Sequence, residues 1–345
     1  MSHHPDLARR RALKGFGLAA LSAALLPKTY PGLVALAQAG ETKNGGQHGM
    51  PWVPGLQLYT LGLTPQDDLP AALKQVAAMG YREVELPGHY DHPVDQLRRA
   101  IDGSGMSCPS VHVSPRPAAG MWDLSGDIAA LAGNVRALGA RYAVVPIPLL
   151  PDRIYDVLQH PPAGFDIRAA SRLFESLQAD DWKRTADMLN DKAAALAKCG
   201  VRLAYHNHGV DFYPLPDGTN GFAMLIERTE PSLVDFELDI GWAVTANQKL
   251  PPLFDTLGQR LRLLHLKDTK SVGVSVMDLA STDLGTGIID WTELVKLVHR
   301  SPVEHVFVEQ EPPFAKTPMD SARADYQFMS TLSVVGRRSS ARTVK

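Results

Sequence analysis

The chain has 345 residues, 45% of them hydrophobic and 21% charged, with a formal net charge of −2. That is apolar material for one large domain or two ordinary ones, and it excludes a disordered or fibrous chain. Near-neutrality, with no basic stripe interleaved with aromatics, leaves nucleic acid without electrostatic support as a partner.

The first segment stands apart. In ARRRALKGFGLAALSAALL (8–26) a basic cluster precedes an uncharged apolar run too short to span a bilayer as a helix. ALA (35–37) and AQA (37–39) follow as cleavage candidates. Arg9, Arg10, Leu13 and Lys14 resemble a twin-arginine export signal, with Ala12 where an aromatic usually stands. Residues 1–39 therefore predict recognition by the twin-arginine export machinery, delivery to the periplasm or another exported location, and no stable membrane span after processing. Removing residues 1–37 takes away five basic residues and Asp6, a net +4, and leaves the remainder near −6. Residues 40–54, rich in Gly and polar side chains, read as a flexible linker.

From there one rhythm repeats. Strands are predicted at GLQLYT (55–60), REVEL (82–86), SCPSVHV (107–113), RYAVVPI (141–147), VRLAYH (201–206), VDFELD (234–239), RLLHLK (262–267) and EHVFVE (304–309). Helix-periodic stretches separate them, among them DLPAALKQVAAMG (68–80), PVDQLRRAIDGSG (93–105) and DIAALAGNVRALG (127–139), each with a glycine where a helix C-cap needs one. Eight such units over 55–335 predict a (β/α)8 TIM barrel with a parallel eight-stranded core, followed by a tail at 336–345. A doubly wound open sheet is the alternative, but LYTLGLTPQ after the first strand has no GxGxxG turn. The long stretch 147–180 predicts an extra helix on the catalytic face. Cys108 and Cys199 both precede strands among small and apolar residues, which favours buried free thiols over a disulfide.

In a parallel barrel the carboxyl ends of the strands open on one face, and residues two apart share a side. Four late strands end in polar pairs at that spacing: His206 and His208, Glu237 and Asp239, His265 and Lys267, Glu309 and Glu311. Uncompensated buried charges cost several kcal/mol, so carboxylates converging there call for a cation. A divalent metal meets the need, and mixed imidazole and carboxylate ligands suit Mn, Fe, Co or Zn better than Ca or Mg.

LQLYT, GYREVEL, YHNH, FELDIGW, LHLKD, LGTGIIDW and VFVEQE, in this order and spacing, resemble the xylose isomerase-like TIM barrel superfamily, and within it the exported sugar phosphate isomerase/epimerase group. The resemblance implies one divalent metal held by residues of the last four strands. It places Asp239, His265 and Glu309 in three ligand positions. Where many relatives carry Glu-Asn, this chain has His206-Asn207, so the remaining ligand is His206 itself, His208 or the downstream Asp211. A second departure is Thr286, where LGEG is expected; Gly285 and Gly287 still allow the turn.

The implied chemistry is aldose–ketose isomerisation, epimerisation beside a carbonyl, or a related β-elimination, each beginning with removal of a proton next to a carbonyl. Glu309 is the candidate base, with His206 and His208 on the opposite side of the substrate and Lys267 either holding a substrate oxygen or paired with Glu311. Gln57, Glu85, His89 and His112 are candidate hydroxyl contacts, and Trp242 is either an apolar wall for a sugar ring or a core residue. An export signal together with no evident phosphate grip points to a free sugar or keto-sugar rather than a sugar phosphate. The rival readings are a metal-dependent lyase or hydrolase acting on 3-keto-glycosides and a non-catalytic periplasmic sugar-binding barrel. Association of the barrel into a homo-oligomer stays open.

Overall fold

The computed structural model describes residues 52–273, 276–277 and 279–332. The expected export signal, most of the linker and the tail at 336–345 lie outside the described residues. The eight barrel strands are β1 Pro54–Gln57, β2 Glu83–Leu86, β3 Ser107–Ser114, β4 Tyr142–Val145, β5 Arg202–His206, β6 Val234–Asp239, β7 Leu261–Leu266 and β8 His305–Val308. Each pairs in parallel with its sequence neighbours, and the β1–β8 pairing closes the cylinder. No helix among the described residues is long and apolar enough to cross a membrane.

The linking helices begin and end where the sequence supplies the caps. Helix α1, Leu69–Met79, starts on Asp68, whose carboxylate accepts the Ala71 N–H, and ends on Gly80 at φ +118°. Helices α2 (Val94–Ser104) and α3 (Ile128–Ala137) lead likewise into left-handed glycines, Gly105 and Gly139. The expected extra helix after β4 is in fact two, α4 Asp152–Gln159 and α5 Ile167–Glu175, ahead of the long α6, Ala179–Lys198. The remaining helices are α7 Gly221–Arg228, α8 Ile240–Thr245, α9 Leu250–Leu257, α10 Trp291–Arg300 and α11 Pro318–Met329.

The first strand is shorter than expected. Gln57 Oε1 accepts the Tyr59 N–H at 3.1 Å and turns Leu58–Leu61 into a 3-10 turn, so a local side-chain bond overrides the β-forming residues that follow. Both cysteines are free, Cys108 buried and Cys199 half-buried.

Alternation along the strands sorts the side chains. Leu56, Val84, Leu203, Leu238, Leu264 and Val308 belong to the large apolar core shared with the helices. The other set fills the barrel in layers. A small apolar plug of Tyr142, Val144, Ala204, Leu263 and Phe307 comes first. Gly55 makes room for it, because a Cβ there would lie 2.5 Å from Phe307 Cδ1 and 2.7 Å from the Val306 carbonyl. Two residues further along the same strands, the lining turns from apolar to ionisable.

Candidate active site

Register places the polar groups. Gln57 pairs with Glu85 in the β1–β2 ladder, His206 with Glu237 in β5–β6, and Asp239 with His265 in β6–β7. One layer up, Lys267, Glu309 and Glu311 follow the ends of β7 and β8, and all of these side chains are buried.

The upper layer centres on Lys267. Its Nζ hydrogen-bonds to Glu311 Oε1 at 2.6 Å and also lies 2.7 Å from Glu309 Oε2 and 2.8 Å from Asp239 Oδ2. Glu311 in turn accepts the Trp242 indole N–H at 3.0 Å. The lower layer centres on His265. Its Nε2 sits 2.6 Å from Glu85 Oε2 and 3.3 Å from Glu237 Oε2, while its Nδ1 sits 3.0 Å from Glu309 Oε2. His206 spans the layers in the same way, with Nδ1 3.0 Å from Glu237 Oε2 and Nε2 3.9 Å from Asp239 Oδ2. His112 Nε2 lies 3.2 Å from Glu85 Oε2 and 3.3 Å from Glu237 Oε2.

Burial opposes every charge here, and the ion pairs decide which survive. Burial would drive the Lys267 ammonium towards neutrality, but Asp239, Glu309 and Glu311 hold its pKa well above the usual value. Burial would raise Glu309, yet Lys267 and His265 outweigh it and keep the carboxyl low. Asp239 and Glu311 are raised, because Lys267 only partly offsets their burial. Below them Glu85 stays under the normal carboxylate range, its burial overcome by His112 and His265, whereas burial and the Glu85 charge push Glu237 up to about 7. Burial would lower His112, but Glu85 and Glu237 lift it to about 9. Burial and Lys267 press His208 down to about 3.

The donor set fits a divalent ion. One ligand atom from each of His206, Asp239, His265 and Glu309 falls within 4.8 Å of the others, the spread expected around a single cation. Asp239 Oδ2 is buried beside the Lys267 ammonium, 2.8 Å away. Of the three residues open for the first ligand, only His206 joins the set. Asp211 turns away to accept the Tyr205 hydroxyl and the His208 N–H, and His208 packs against His206 and Trp242 with Nδ1 unpartnered. Asn207 clamps the strand end, donating to the Asp239 carbonyl and accepting the Asp239 N–H at 2.9 Å.

The other expected site residues have protein partners. Gln57 Nε2 donates to Glu85 Oε2 at 2.8 Å, and Glu85 and His112 lie among the histidines and Glu237. His89 lies elsewhere, lining an outer hollow with Asp91, His92 and Trp122. Trp242 is buried at 2% exposure, its N–H donated to Glu311 and its ring packed against His208. Thr286 is exposed and hydrogen-bonds to the Asp283 carbonyl. The loop's polar anchor is Asp268, whose carboxylate accepts the N–H groups of Gly285 at 2.9 Å and Gly287 at 3.0 Å. That role was hidden because Asp268 binds backbone seventeen and nineteen residues away. Two further groups carry no sequence signal: the hydroxyls of Tyr59 and Tyr90 are buried without a partner, and Glu309 and Glu311 act electrostatically on the first.

A closed parallel barrel whose strand ends carry a buried histidine–carboxylate set defines a TIM-barrel protein with a candidate metal site at the barrel mouth. The family model described as xylose isomerase-like TIM barrel matches residues 73–332, and the chain belongs to that family. It is 23% identical over 287 residues to the inosose dehydratase of Clostridium beijerinckii, covering 74% of this chain and 91% of that one. A sugar phosphate isomerase/epimerase of Parabacteroides distasonis superposes with a TM-score of 0.64 at 20% identity, over 86% of this chain and 98% of that one. The IolI protein with a bound zinc atom superposes at 0.53 and 15% identity, over 79% of this chain and 95% of that one.

Proposed function

We propose that the protein is an exported, divalent-metal-dependent isomerase or epimerase acting on a free sugar or keto-sugar. The observation that carries this reading is the convergence of His206, Asp239, His265 and Glu309 on one point at the barrel mouth. The zinc bound by the IolI protein in the same fold supports it. A bound divalent cation would act as a Lewis acid towards the substrate carbonyl and adjacent hydroxyl.

The side chains supply the rest. Glu309, kept ionised by Lys267 and His265, is the proton acceptor beside the reacting carbon. Lys267, locked as an ammonium, places a fixed positive charge beside the oxygen that gains negative charge as the proton leaves. Neutral His208 flanks the opposite side and exchanges protons with substrate oxygens. The unpartnered Tyr59 and Tyr90 hydroxyls are donors for sugar hydroxyls. Return of the proton to the neighbouring carbon, or to the other face of the same carbon, completes isomerisation or epimerisation.

The relation to an inosose dehydratase over most of its length favours a second reading, in which a hydroxyl or alkoxy group β to the carbonyl departs. The test is incubation of the metal-loaded protein with aldoses, ketoses and keto-glycosides in deuterated water, followed by NMR. Deuterium uptake with conserved carbon skeleton and mass balance supports isomerisation. Loss of water or of an aglycone supports the lyase reading. Binding of sugars with no exchange of any carbon-bound hydrogen would leave a non-catalytic binding barrel.

A further inference from the structure

We propose that Glu85 is a positioning residue that holds His265 with Nε2 protonated, so that Nδ1 is the nitrogen presented to the divalent ion. The inference rests on the metal-dependent reading of the same site.

A second group of potential ligands, His112, His206, Glu237 and His265, lies directly beneath the first and shares two histidines with it. The two groups use opposite ring nitrogens. Towards the mouth, His265 Nδ1 faces Glu309 and His206 Nε2 faces Asp239; below, His265 Nε2 faces Glu85 and Glu237, and His206 Nδ1 faces Glu237. A neutral imidazole has one lone pair and one N–H, so it cannot serve an ion at each end without losing its last proton. One layer must therefore bind the ion and the other must take the N–H groups.

Hydrogen bonding decides which. Glu85 Oε2 already receives Gln57 Nε2 at 2.8 Å and faces His265 Nε2 at 2.6 Å and His112 Nε2 at 3.2 Å, which leaves that oxygen no lone pair for a cation. Gln57 cannot reverse its amide, because its Oε1 is engaged by the Tyr59 N–H. In the upper layer Asp239 Oδ2 takes the Lys267 ammonium at 2.8 Å and keeps lone-pair capacity for a cation, and 3.9 Å between it and His206 Nε2 is too long for a hydrogen bond but suits two ligands of a common ion. A relay from the Tyr59 backbone through Gln57 and Glu85 thus sets the orientation of His265. Carboxylates placed behind metal-binding histidines fix the tautomer and raise the basicity of the ligand nitrogen.

The test is calorimetric titration of the metal-free protein with Zn²⁺ or Mn²⁺ in wild type, Glu85→Gln and Asp239→Asn, with melting curves of each metal-free form. Glu85→Gln, which leaves buried His112 and His265 without that carboxylate, is expected to lower the metal-free melting temperature and, measured where the variant is fully folded, to weaken binding by roughly 10- to 100-fold, and Asp239→Asn is expected to abolish binding. ¹⁵N NMR of labelled histidine reads the mechanism separately: His265 in the zinc-loaded wild type should carry its proton on Nε2, and the Glu85→Gln variant should lose that preference. Unchanged affinity and tautomer in Glu85→Gln would overturn the positioning role alone. Retention of the metal in Asp239→Asn would place the ion in the lower layer and overturn it as well. A wild type that takes up no divalent ion defeats the metal reading itself, and this inference with it.

Discussion

Lys267 Nζ lies 2.8 Å from Asp239 Oδ2, and both side chains are fully buried. The ammonium reaches Glu311 at 2.6 Å, Glu309 at 2.7 Å and Asp239 at 2.8 Å, and the last two are members of the ligand set. The lysine therefore neutralises the carboxylates that a metal would use. Lys267→Met should destabilise the metal-free protein by about 3–5 kcal/mol, since it strands buried carboxylates. Saturating Zn²⁺ should recover much of that loss, so the metal-induced rise in Tm is expected to be larger in the variant than in wild type. Equal rises in the two proteins would contradict the shared use of these carboxylates.

His206 and Asp211 separate cleanly as ligand candidates. His206→Ala should cut metal content by at least about tenfold, while Asp211→Asn, whose partners are Tyr205 and the His208 backbone, should keep full occupancy. Elemental analysis after dialysis against a metal-free buffer decides between them. Metal loss in Asp211→Asn with retention in His206→Ala would reverse the assignment.

Tyr59→Phe removes a hydroxyl that no protein group engages, so no protein hydrogen bond is lost. Its folding stability is expected to stay within about 0.5 kcal/mol of wild type. If that hydroxyl binds sugar, kcat/KM should fall by roughly tenfold, a hydrogen bond's worth of about 1.4 kcal/mol, once a substrate is in hand. A kinetic profile identical to wild type would remove Tyr59 from the substrate contacts.

Asp325 offers a stability test remote from the ligand set. Its carboxyl accepts the Leu284 N–H, and burial pushes its pKa up to about 8. A carboxyl raised in the folded state favours folding while protonated. Its contribution is therefore full below the unfolded value of about 4 and is lost progressively as pH climbs to about 8. Asp325→Asn should unfold at a higher urea concentration than wild type at pH 8–9, by an amount on the order of a few kcal/mol, with the advantage shrinking to nothing near pH 4. A pH-independent difference between the two proteins would show that Asp325 is not the titrating group.

Gly55→Ala probes the join between barrel plug and site. The added methyl would press on Phe307 and the Val306 carbonyl, and backbone cannot yield as a flexible side chain can. Overpacking of this kind is expected to cost about 1–3 kcal/mol in urea unfolding.

Much of the barrel was legible in the primary structure. Hydrophobic runs alternating with helical periods located all eight strands to within a few residues, and glycines at 80, 105 and 139 marked helix ends that the structure closes with left-handed backbone. The period-two spacing of His206, Glu237, Asp239, His265, Lys267, Glu309 and Glu311 assigned them to one end of the cylinder, where they indeed meet. Those readings succeed because they depend on local rules, the 3.6- and 2-residue repeats and the turn preferences of glycine.

Which inward-facing residues pair with one another was decided by tertiary structure. Alternation says that Glu85 and His265 point inward; it cannot say that residues 180 apart in sequence come to 2.6 Å. The same holds for Asp211, diverted by Tyr205, for Trp242, tied to Glu311, and for Asp268, spent on a distant glycine turn. Strand periodicity is carried by neighbours along the chain, whereas depth and pairing inside a closed barrel depend on the register between strands, and register exists only once the cylinder has closed.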